Sequence, residues 1–463
     1  MAAAKIPPGP KGRFPLGHTL EYMRDPLGFM ARCARDHGDV VRLRLGFSTY
    51  FVLFHPDLVE VALRSHASGV IKDKLTRMLT PVVGQGLLTS EGAFWRRQRK
   101  LAMPAFQRGA IDRYGSVMVE HATRLRDAWR DGQSRDVHED MMELTLGIVA
   151  KTLFDAEVGP ESRDVAEAVE VMTDYYLNPM KFFKAREWLP TRENRRFRAA
   201  VRRLDEILYG IIRRRRASGD DPGDLLSHLL AAQDEEGAGM TDRQLRDECV
   251  TLYLAGHETT ALVLTFAFLL LARHPEEGDR LAAELDEVLG DRPPTPADVP
   301  RLRRAEWIIR ESMRLYPPAW GIGREAVEDF EVGGYPVKKG TQLLISQWVM
   351  HRDPRWFDDP EAFRPDRWDN DLARRLPKGA YIPFGDGPRV CIGNHFAMME
   401  GILLLATLAR HHRLELAPGQ ELKLAPSITL RPRSGTRMIV RDRQGRAPRS
   451  AGPSGPDTFR TPG

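Results

Sequence analysis

Residues 384–393 read FGDGPRVCIG, and this stretch decides how the rest of the chain is interpreted. Two glycines ahead of Cys391, Gly385 and Gly387, allow the backbone to turn tightly and to approach another group closely. Gly393 follows the cysteine, and a helical pattern begins directly after it. A cysteine just ahead of a helix lies among backbone N–H groups without carbonyl partners, in the positive field of the helix terminus. This position predicts a lowered thiol pKa and a thiolate, the form that binds metals.

The same cysteine stands alone as a candidate metal ligand. No further cysteine or histidine stands at the spacing of a structural zinc site, which argues against zinc. One thiolate held on a rigid loop suits an axial ligand of haem iron. A buried, inert thiol is the alternative for an isolated cysteine, and it is the interpretation adopted for Cys33 and Cys249.

The composition fits a large globular chain and excludes several other classes. Of the 463 residues, 42% are apolar, enough to fill a large core, and 29% are charged with both signs represented. Three cysteines cannot form a disulfide framework in a chain of this length. The net charge of +5 comes from 69 basic and 64 acidic residues, an excess too small and dispersed to indicate nucleic-acid binding.

No segment has the pattern of an export signal or of a membrane span. The longest nearly apolar run, residues 261–272, has about half the length that a spanning helix needs. We therefore expect a cytoplasmic protein.

The residue pattern along the chain predicts a mainly α fold with small β-sheets (α+β). Residues 1–25 form a proline-rich segment, and residues 443–463, rich in Gly, Pro and Ser, predict a disordered tail. Residues 26–442 predict a single domain, because they contain neither a repeat nor a clear linker. Its β-rich parts are expected at about 38–55 and 320–350.

One helix is better defined than the others. Thr241 and Gln244 have the spacing of a capping box, and the dipeptide His274-Pro275 ends the helical pattern. The residues between them would make a helix about 45 Å long at ~1.5 Å per residue. Since its middle is apolar all round, we expect it to run through the core.

Four motifs together carry a family resemblance. The stretch 384–393 matches the pattern F-x-x-G-x-R-x-C-x-G at each fixed position, and three more motifs of the same family stand in the expected order: WRRQR at 95–99, AGHETT at 255–260 and ESMR at 311–314. On these motifs the sequence resembles the cytochrome P450 family over roughly residues 10–440. The resemblance implies that family's fold, with the long helix crossing the haem, and haem b held by the Cys391 thiolate.

The ESMR motif implies a structural role. Glu311 and Arg314 lie one helical turn apart, so their charges can pair, although alone they would indicate only a surface ion pair of small value. LYPP follows at 315–318 and FRPDRW at 363–368. In this context the resemblance implies that Glu311, Arg314 and Arg367 brace the fold on the proximal side of the haem.

A second set of residues is implied to bind the cofactor. Trp95 and Arg99 share a helix face, and an indole N–H and a guanidinium suit a buried carboxylate. A solvated basic helix with one packed tryptophan is the alternative. The resemblance implies instead that they hold a haem propionate. Arg389 and Arg324 are further candidates for this role. The expected cofactor-binding residues are Trp95, Arg99, Arg324, Arg389, Phe384 and Gly393.

The AGHETT motif lies in the middle of the long helix, where glycine, two threonines and a charged pair are poor choices for a buried helix. Gly256 is expected to leave room for a small ligand, and the Thr259 hydroxyl to compete for a backbone carbonyl and open the helix locally. A plain helix kink with a solvated Glu258 is the alternative. The resemblance implies that Thr259 and Glu258 are catalytic and supply protons to dioxygen.

Electrons are expected to come from another protein. The chain contains no flavin or nicotinamide fingerprint and no iron–sulfur cysteine cluster. The expected donor is a ferredoxin or flavodoxin with its reductase, and the chain is expected to be a monomer. Such carriers are generally acidic, so basic residues near the cysteine are candidates for the docking face, with a solvated basic surface as the equal alternative. These candidates are Arg96, Arg97, Lys100 and Arg108.

The substrate is expected to be a mainly apolar small molecule: a fatty acid, terpenoid, steroid or secondary metabolite. Loops at 75–88, 177–183 and 319–322 are expected to form its pocket. The individual pocket residues expected are Leu87, Leu252, Ala255, Ala319 and Ile322.

Three functions remain open at this point. The favoured one is an O2-dependent haem-thiolate monooxygenase that inserts one oxygen atom into a C–H or C=C bond. The second is a haem-thiolate enzyme that performs oxidative cross-linking or ring closure in natural-product biosynthesis, and the third is a non-catalytic haem-binding protein. Thr259 favours the monooxygenase.

Overall fold

The structure, a computed structural model, describes residues 5–155, 171, 189 and 191–443. Helices dominate the described residues. In chain order they are α1 Thr19–Arg24, α2 Pro26–His37, α3 Pro56–Glu60, α4 Lys74–Arg77, α5 Thr80–Val83, α6 Gly92–Ala102, α7 Arg108–Ala128, α8 Val137–Phe154, α9 Arg192–Ser218, α10 Leu225–Ala231, α11 Asp242–Arg273, α12 Pro275–Leu289, α13 Arg303–Leu315, α14 Gln347–Met350, α15 Leu372–Arg375 and α16 Asn394–Ala409. Tighter or wider helical turns lie at Val61–Ser65, Ala67–Gly69, Met103–Phe106, Pro296–Arg301, Pro365–Asp371 and Gly387–Arg389.

The strands are short and form small sheets. They are β1 Val40–Leu45, β2 Ser48–Leu53, β3 Val70–Lys72, β4 Ser134–Asp136, β5 Ile322–Ala326, β6 Phe330–Val332, β7 Tyr335–Val337, β8 Gln342–Ile345, β9 His412–Leu416, β10 Leu424–Pro426, β11 Leu430–Pro432 and β12 Arg437–Asp442. The largest sheet has the order β1-β2-β8-β5-β3, in which β2 and β8 are parallel and the other neighbours antiparallel. The remaining sheets are β4-β12-β9, β6-β7 and β10-β11. The predicted fold class, mainly α with small sheets, is confirmed.

Helix α11 is the longest of the described helices. It runs for 32 residues and begins with the capping box predicted from the sequence: Thr241 Oγ1 accepts from the Gln244 N–H at 3.3 Å, and Gln244 Oε1 accepts from the Thr241 N–H at 2.8 Å. Its second half lies in the largest apolar cluster, among side chains of α7, α8, α12, α13 and α16. It ends where His274 and the following proline were expected to end it.

Among the described residues, α11 is the helix that is long and apolar enough to cross a membrane. However, 72% of its most apolar window is buried inside the protein, which is the situation of a core helix. Two predictions concern parts of the chain outside the described residues: the pocket wall at 177–183, and the tail from 444 onward.

Candidate active site

The cysteine loop connects the turn at Gly387–Arg389 to α16. The Cys391 N–H donates to the Phe384 carbonyl at 2.9 Å, which closes the loop on itself. Gly385 and Gly387 have φ values of 74° and 68°, the left-handed region that glycine tolerates best. A Cβ atom on Gly387 would overlap the carbonyl oxygen of Leu63. The loop therefore keeps this shape only with glycine at that position.

The Cys391 thiol lies in a different electrostatic environment from the one predicted. Burial raises its pKa, while the Gly393 N–H and the charges of Arg99 and Lys72 oppose the rise. The prediction of a lowered thiol pKa is wrong for the polypeptide alone, because desolvation outweighs the field of the helix terminus. The residue is nevertheless exposed, so the thiol is not packed into the apolar core.

The residues that the sequence predicts for the substrate pocket are apolar and incompletely buried. Ala255 in the middle of α11 and Ala319 are both exposed, although their direct neighbours in the sequence are half-buried or buried. Leu87, Leu252 and Ile322 are half-buried, and Leu87 and Leu252 pack against the same apolar cluster. Ile322 lies against the cysteine loop. Leu87 and Leu252 thus share an apolar cluster, and Ile322 contacts the cysteine loop, while the assignment of these residues to a substrate pocket stays a prediction.

Buried and half-buried cations lie near the cysteine loop. Lys72 of β3 stands directly opposite Arg324 of β5, and like charges directly opposite on antiparallel strands destabilise the pair. Burial and the charges of Arg324 and Arg389 lower the pKa of Lys72 to about 7. Sequence analysis missed Lys72, although a lysine within a short, largely apolar strand was a signal for it.

Arg389 and Arg99 complete this group of cations. The Arg389 guanidinium carbon lies 3.9 Å from the centre of the Trp95 ring, and that of Arg99 lies 5.8 Å from it. Arg389 also donates to the Ser90 carbonyl at 2.8 Å and pairs with Glu91. Burial lowers the pKa of Arg389 to about 10, which Glu91 partly offsets.

This charge distribution fits haem. Four cations, Lys72, Arg99, Arg324 and Arg389, surround the site, and the carboxylates that interact with them among the described residues are Asp73 and Glu91. A cation buried without enough counter-charge is costly, and the two propionates of haem supply negative charge there. Exposed and half-buried apolar side chains such as Ala255 and Leu252 suit the flat macrocycle.

Thr259 forms a hydrogen bond within α11, and Glu258 contacts residues in and directly before β11. The Thr259 hydroxyl donates to the Ala255 carbonyl at 2.7 Å, yet the helix remains continuous from Asp242 to Arg273 and does not open locally as expected. Glu258 Oε1 pairs with the Arg431 guanidinium at 2.5 Å and also accepts from Thr429.

Gly256 does not provide the expected space for a ligand. The position of its Cβ lies 3.2 Å from Val149 of α8. The missing side chain therefore allows the close approach of α8 and α11, as does the Thr145 hydroxyl, which donates to the His257 carbonyl at 2.9 Å.

The ESMR motif forms a fully buried network. Glu311 accepts from Arg314 at 2.8 and 2.9 Å, from Arg367 at 2.9 Å and from the Trp368 indole at 2.9 Å. Glu311 and Arg314 are both 0% exposed, so this is not the surface pair of the alternative interpretation. The Arg364 N–H also donates to Glu311, at 3.0 Å. The network joins α13 to the turn at Pro365–Asp371.

Sequence analysis also missed Glu400. It is the one charged residue of α16, and a charge in an otherwise apolar helix was a usable signal. It is 0% exposed and neither of its oxygens has a hydrogen-bond partner among the described residues. Burial raises its pKa to about 8, and the neighbouring Thr260 hydroxyl offsets this only in part.

The predicted basic face near α6 is partly neutralised. Arg97 pairs with Asp234 at 2.6 Å, and Lys100 pairs with Glu235. Arg96 is exposed. Arg108, at the start of α7, is exposed as well.

An exposed thiol on a glycine-dependent loop, cations with few carboxylate partners beside it and a long central helix are the features expected of a haem-thiolate protein. The family model described as Cytochrome P450 matches residues 7–438. The chain belongs to the cytochrome P450 family. It is a monooxygenase that binds haem b with Cys391 as axial thiolate ligand, acts on apolar molecules with O2, and receives electrons from a redox partner.

Several curated proteins are similar over nearly their whole length. The chain is 40% identical over 433 residues to cyclooctatin synthase of Streptomyces melanosporofaciens, covering 90% of this chain and 92% of that protein. It is 39% identical over 413 residues to cyclooctat-9-en-7-ol 5-monooxygenase of the same organism, covering 88% and 89%. It is 35% identical over 416 residues to pentalenene oxygenase of Streptomyces avermitilis, covering 88% and 91%.

Proposed function

We propose that this enzyme hydroxylates a cyclic terpenoid, either a hydrocarbon or one that carries few hydroxyl groups. The observation that carries this proposal is the similarity to three terpenoid-modifying monooxygenases, one of which is named for cyclooctat-9-en-7-ol and another for pentalenene. The pocket residues support it, because aliphatic side chains bind a fused hydrocarbon skeleton without leaving polar groups unpaired.

The bound haem supplies the activation of dioxygen, and the polypeptide positions its surroundings. Trp95, Arg99, Arg324 and Arg389 hold the propionates, since they combine an indole donor with guanidinium groups. Phe384 and Gly393 fix the loop on which the thiolate ligand stands, through the Cys391 N–H and the helix start. The residues that line the substrate pocket are Leu87, Leu252, Ala255, Ala319 and Ile322.

Thr259 and Glu258 move protons toward the reaction site. The Thr259 hydroxyl releases the Ala255 carbonyl when it turns toward the cavity, and Glu258 is tied to Arg431, whose side chain is 20% exposed. This pair therefore connects the middle of α11 with a residue that reaches solvent. Glu311, Arg314 and Arg367 brace the fold and take no part in proton transfer.

The electron donor is a small acidic carrier, a ferredoxin or flavodoxin served by its own reductase, and the enzyme works as a cytoplasmic monomer. Of the four basic residues expected at the docking face, Arg96 and Arg108 support this proposal. Arg97 and Lys100 are paired with acidic residues of the same chain, so they contribute little charge to a partner.

The test is turnover of the purified haem protein with a ferredoxin system. Cyclooctat-9-en-7-ol, pentalenene and a straight-chain fatty acid are compared as substrates by binding spectra and product mass. A terpenoid that binds and gains one oxygen atom supports the proposal. Turnover of the fatty acid alone contradicts the terpenoid substrate, and a product that has only lost two hydrogen atoms indicates oxidative coupling instead.

A further inference from the structure

The segment from residue 84 to residue 91, here called the α5–α6 loop, connects two parts of the active site. It carries the pocket residue Leu87. At its end, the Ser90 carbonyl accepts from Arg389 at 2.8 Å, and Glu91 pairs with the same guanidinium. A shift of this loop therefore changes the pocket wall and the surroundings of a haem-binding arginine together.

Two consecutive carboxylates of α11 hold the backbone of this loop. Asp247 Oδ2 accepts from the Gln85 N–H at 2.8 Å, and Glu248 Oε2 accepts from the Leu87 N–H at 3.0 Å. The second oxygen of Glu248 accepts from Gln98 of α6 at 3.3 Å. Asp247 is 4% exposed and Glu248 is 0% exposed. Hydrogen bonds to a carboxylate shielded from water are stronger than those between neutral groups.

The glycines of the loop are required for this contact. A Cβ atom on Gly84 would overlap the Asp247 carboxylate, and one on Gly86 would overlap the Thr251 hydroxyl. Thr251 in turn donates to the Asp247 carbonyl at 2.7 Å. The loop backbone thus lies closer to α11 than a side chain at either glycine position would allow.

The residue before the two carboxylates anchors the flanking elements. Arg246 is 6% exposed and donates to the Val82 carbonyl, at the end of α5, at 2.7 Å. It also pairs with Asp205 of α9 at 2.5 Å and with Asp247 at 3.0 Å. Three consecutive residues of one helix therefore fix α5, α9 and the loop that follows α5.

We infer that Arg246, Asp247 and Glu248 are positioning residues that fix Leu87 in the pocket wall and thereby set the enzyme's selectivity for its apolar substrate. Consecutive helical residues point about 100° apart, so the two carboxylates hold the loop at two points and prevent it from rotating about a single hydrogen bond. The inference rests on the proposed function for the identity of the substrate and for the place of Leu87 in the pocket wall.

The experiment compares Glu248→Ala and Asp247→Ala with a matched control, Glu284→Ala. Glu284 of α12 also accepts two backbone N–H groups, from Arg304 at 2.7 Å and Ala305 at 3.2 Å, but it holds a different part of the fold. Amide hydrogen exchange is measured on the haem-loaded proteins. Binding of 4-phenylimidazole and of cyclooctat-9-en-7-ol is followed by absorption spectra, and turnover by kcat and KM.

We expect exchange of the Leu87 amide to accelerate in Glu248→Ala and both dissociation constants to rise about ten-fold, since one buried hydrogen bond that holds the loop is lost. In Glu248→Ala, KM should rise by a larger factor than kcat falls, and more than one hydroxylation product should form. The carbon monoxide spectrum of this variant should stay that of the wild type. In Glu284→Ala only the amides of residues 304 and 305 should exchange faster.

Three results would overturn the inference: unchanged exchange at residue 87, faster exchange with both dissociation constants unchanged, or an equal loss of binding in Glu284→Ala. If Glu248→Ala does not fold, Glu248→Gln, which keeps the volume and one acceptor, should show the same changes at reduced size. If the wild type does not bind the terpenoid, only the proposed identity of the substrate is rejected. Binding of 4-phenylimidazole and hydrogen exchange still test whether Asp247 and Glu248 hold the α5–α6 loop in place.

Discussion

Glu311 and Glu400 are both fully buried, and their partners give them opposite properties. Glu311 accepts from two guanidinium groups, an indole and a backbone N–H, so its charge is compensated in place. Among the described residues, the polar group that acts on Glu400 is the Thr260 hydroxyl, and burial raises the pKa of Glu400 to about 8. The fold therefore favours a proton on Glu400, whereas it surrounds Glu311 with cationic and neutral hydrogen-bond donors.

Replacing Glu311 should destabilise the protein strongly. Glu311→Gln leaves the Arg314 guanidinium buried without an anion, and removing one partner of a buried pair costs about 3–5 kcal/mol. Urea unfolding of the haem-loaded protein measures this loss. Arg374→Gln is the control, because its pair with Asp371 is largely exposed and should contribute less than about 0.5 kcal/mol. Equal losses in both variants would contradict a structural role for the network.

Glu400 makes stability depend on pH. A glutamate in the unfolded chain titrates near 4.5, whereas burial raises the folded pKa to about 8. The folded state therefore binds the proton more tightly, and stability is lost as pH rises between these two values. Glu400→Gln, which resembles the neutral acid, should unfold like the wild type near pH 4 and at a higher temperature than the wild type near pH 9. A thermal-unfolding difference that is the same at both pH values would show that Glu400 does not titrate in this range.

At the scale of elements, the cysteine loop and α11 are stabilised differently. The loop depends on glycines, because its backbone occupies the left-handed region and touches Leu63. Helix α11 depends on its capping box and on a buried second half. The shape of the loop is therefore sensitive to a single carbon atom added at Gly387, whereas α11 remains helical with polar residues in its middle.

Gly387→Ala should abolish correct presentation of the cysteine. The added methyl group would overlap the Leu63 carbonyl, so the loop has to move and haem binding should be lost. Gly290→Ala is the matched control, since Gly290 also has a positive φ of 56° but nothing lies within 4 Å of its Cβ position. The control should lose only about 1 kcal/mol from backbone strain and keep its haem. Full haem content in Gly387→Ala, measured by absorbance per protein, would disprove the steric argument.

Thr259→Ala tests the proposed proton path in α11. The variant should bind haem and substrate normally, but it should consume reducing equivalents with little product, because proton delivery fails. Thr265→Ala controls for the loss of a helix hydroxyl, since Thr265 also donates to the carbonyl four residues earlier at 2.7 Å. Product formed per NADPH consumed is the measurement. Normal coupling in Thr259→Ala, or equal uncoupling in Thr265→Ala, would remove Thr259 from the mechanism.

At the scale of the whole molecule, the sequence predicts local features better than long-range contacts. The cysteine loop, the capping box of α11 and the fold class follow from residue patterns over a few positions, and these predictions agree with the structure. Lys72 and Glu248 were missed because their partners lie far along the chain; Leu87 is 161 residues from Glu248. The prediction of a lowered Cys391 pKa was wrong because the sequence shows the start of the following helix but not the burial of the thiol, and burial has the larger effect.

The most direct test of the account is the absorption spectrum of the reduced, carbon monoxide-treated protein, recorded for the wild type and for Cys391→Ser. The wild type should show the strongly red-shifted Soret band of thiolate-ligated haem. Cys391→Ser should lose that band, while Cys33→Ser and Cys249→Ser, changed at the two other cysteines, should keep it. A wild type without haem, or a Cys391→Ser spectrum identical to that of the wild type, would contradict thiolate ligation by Cys391 and everything inferred from it.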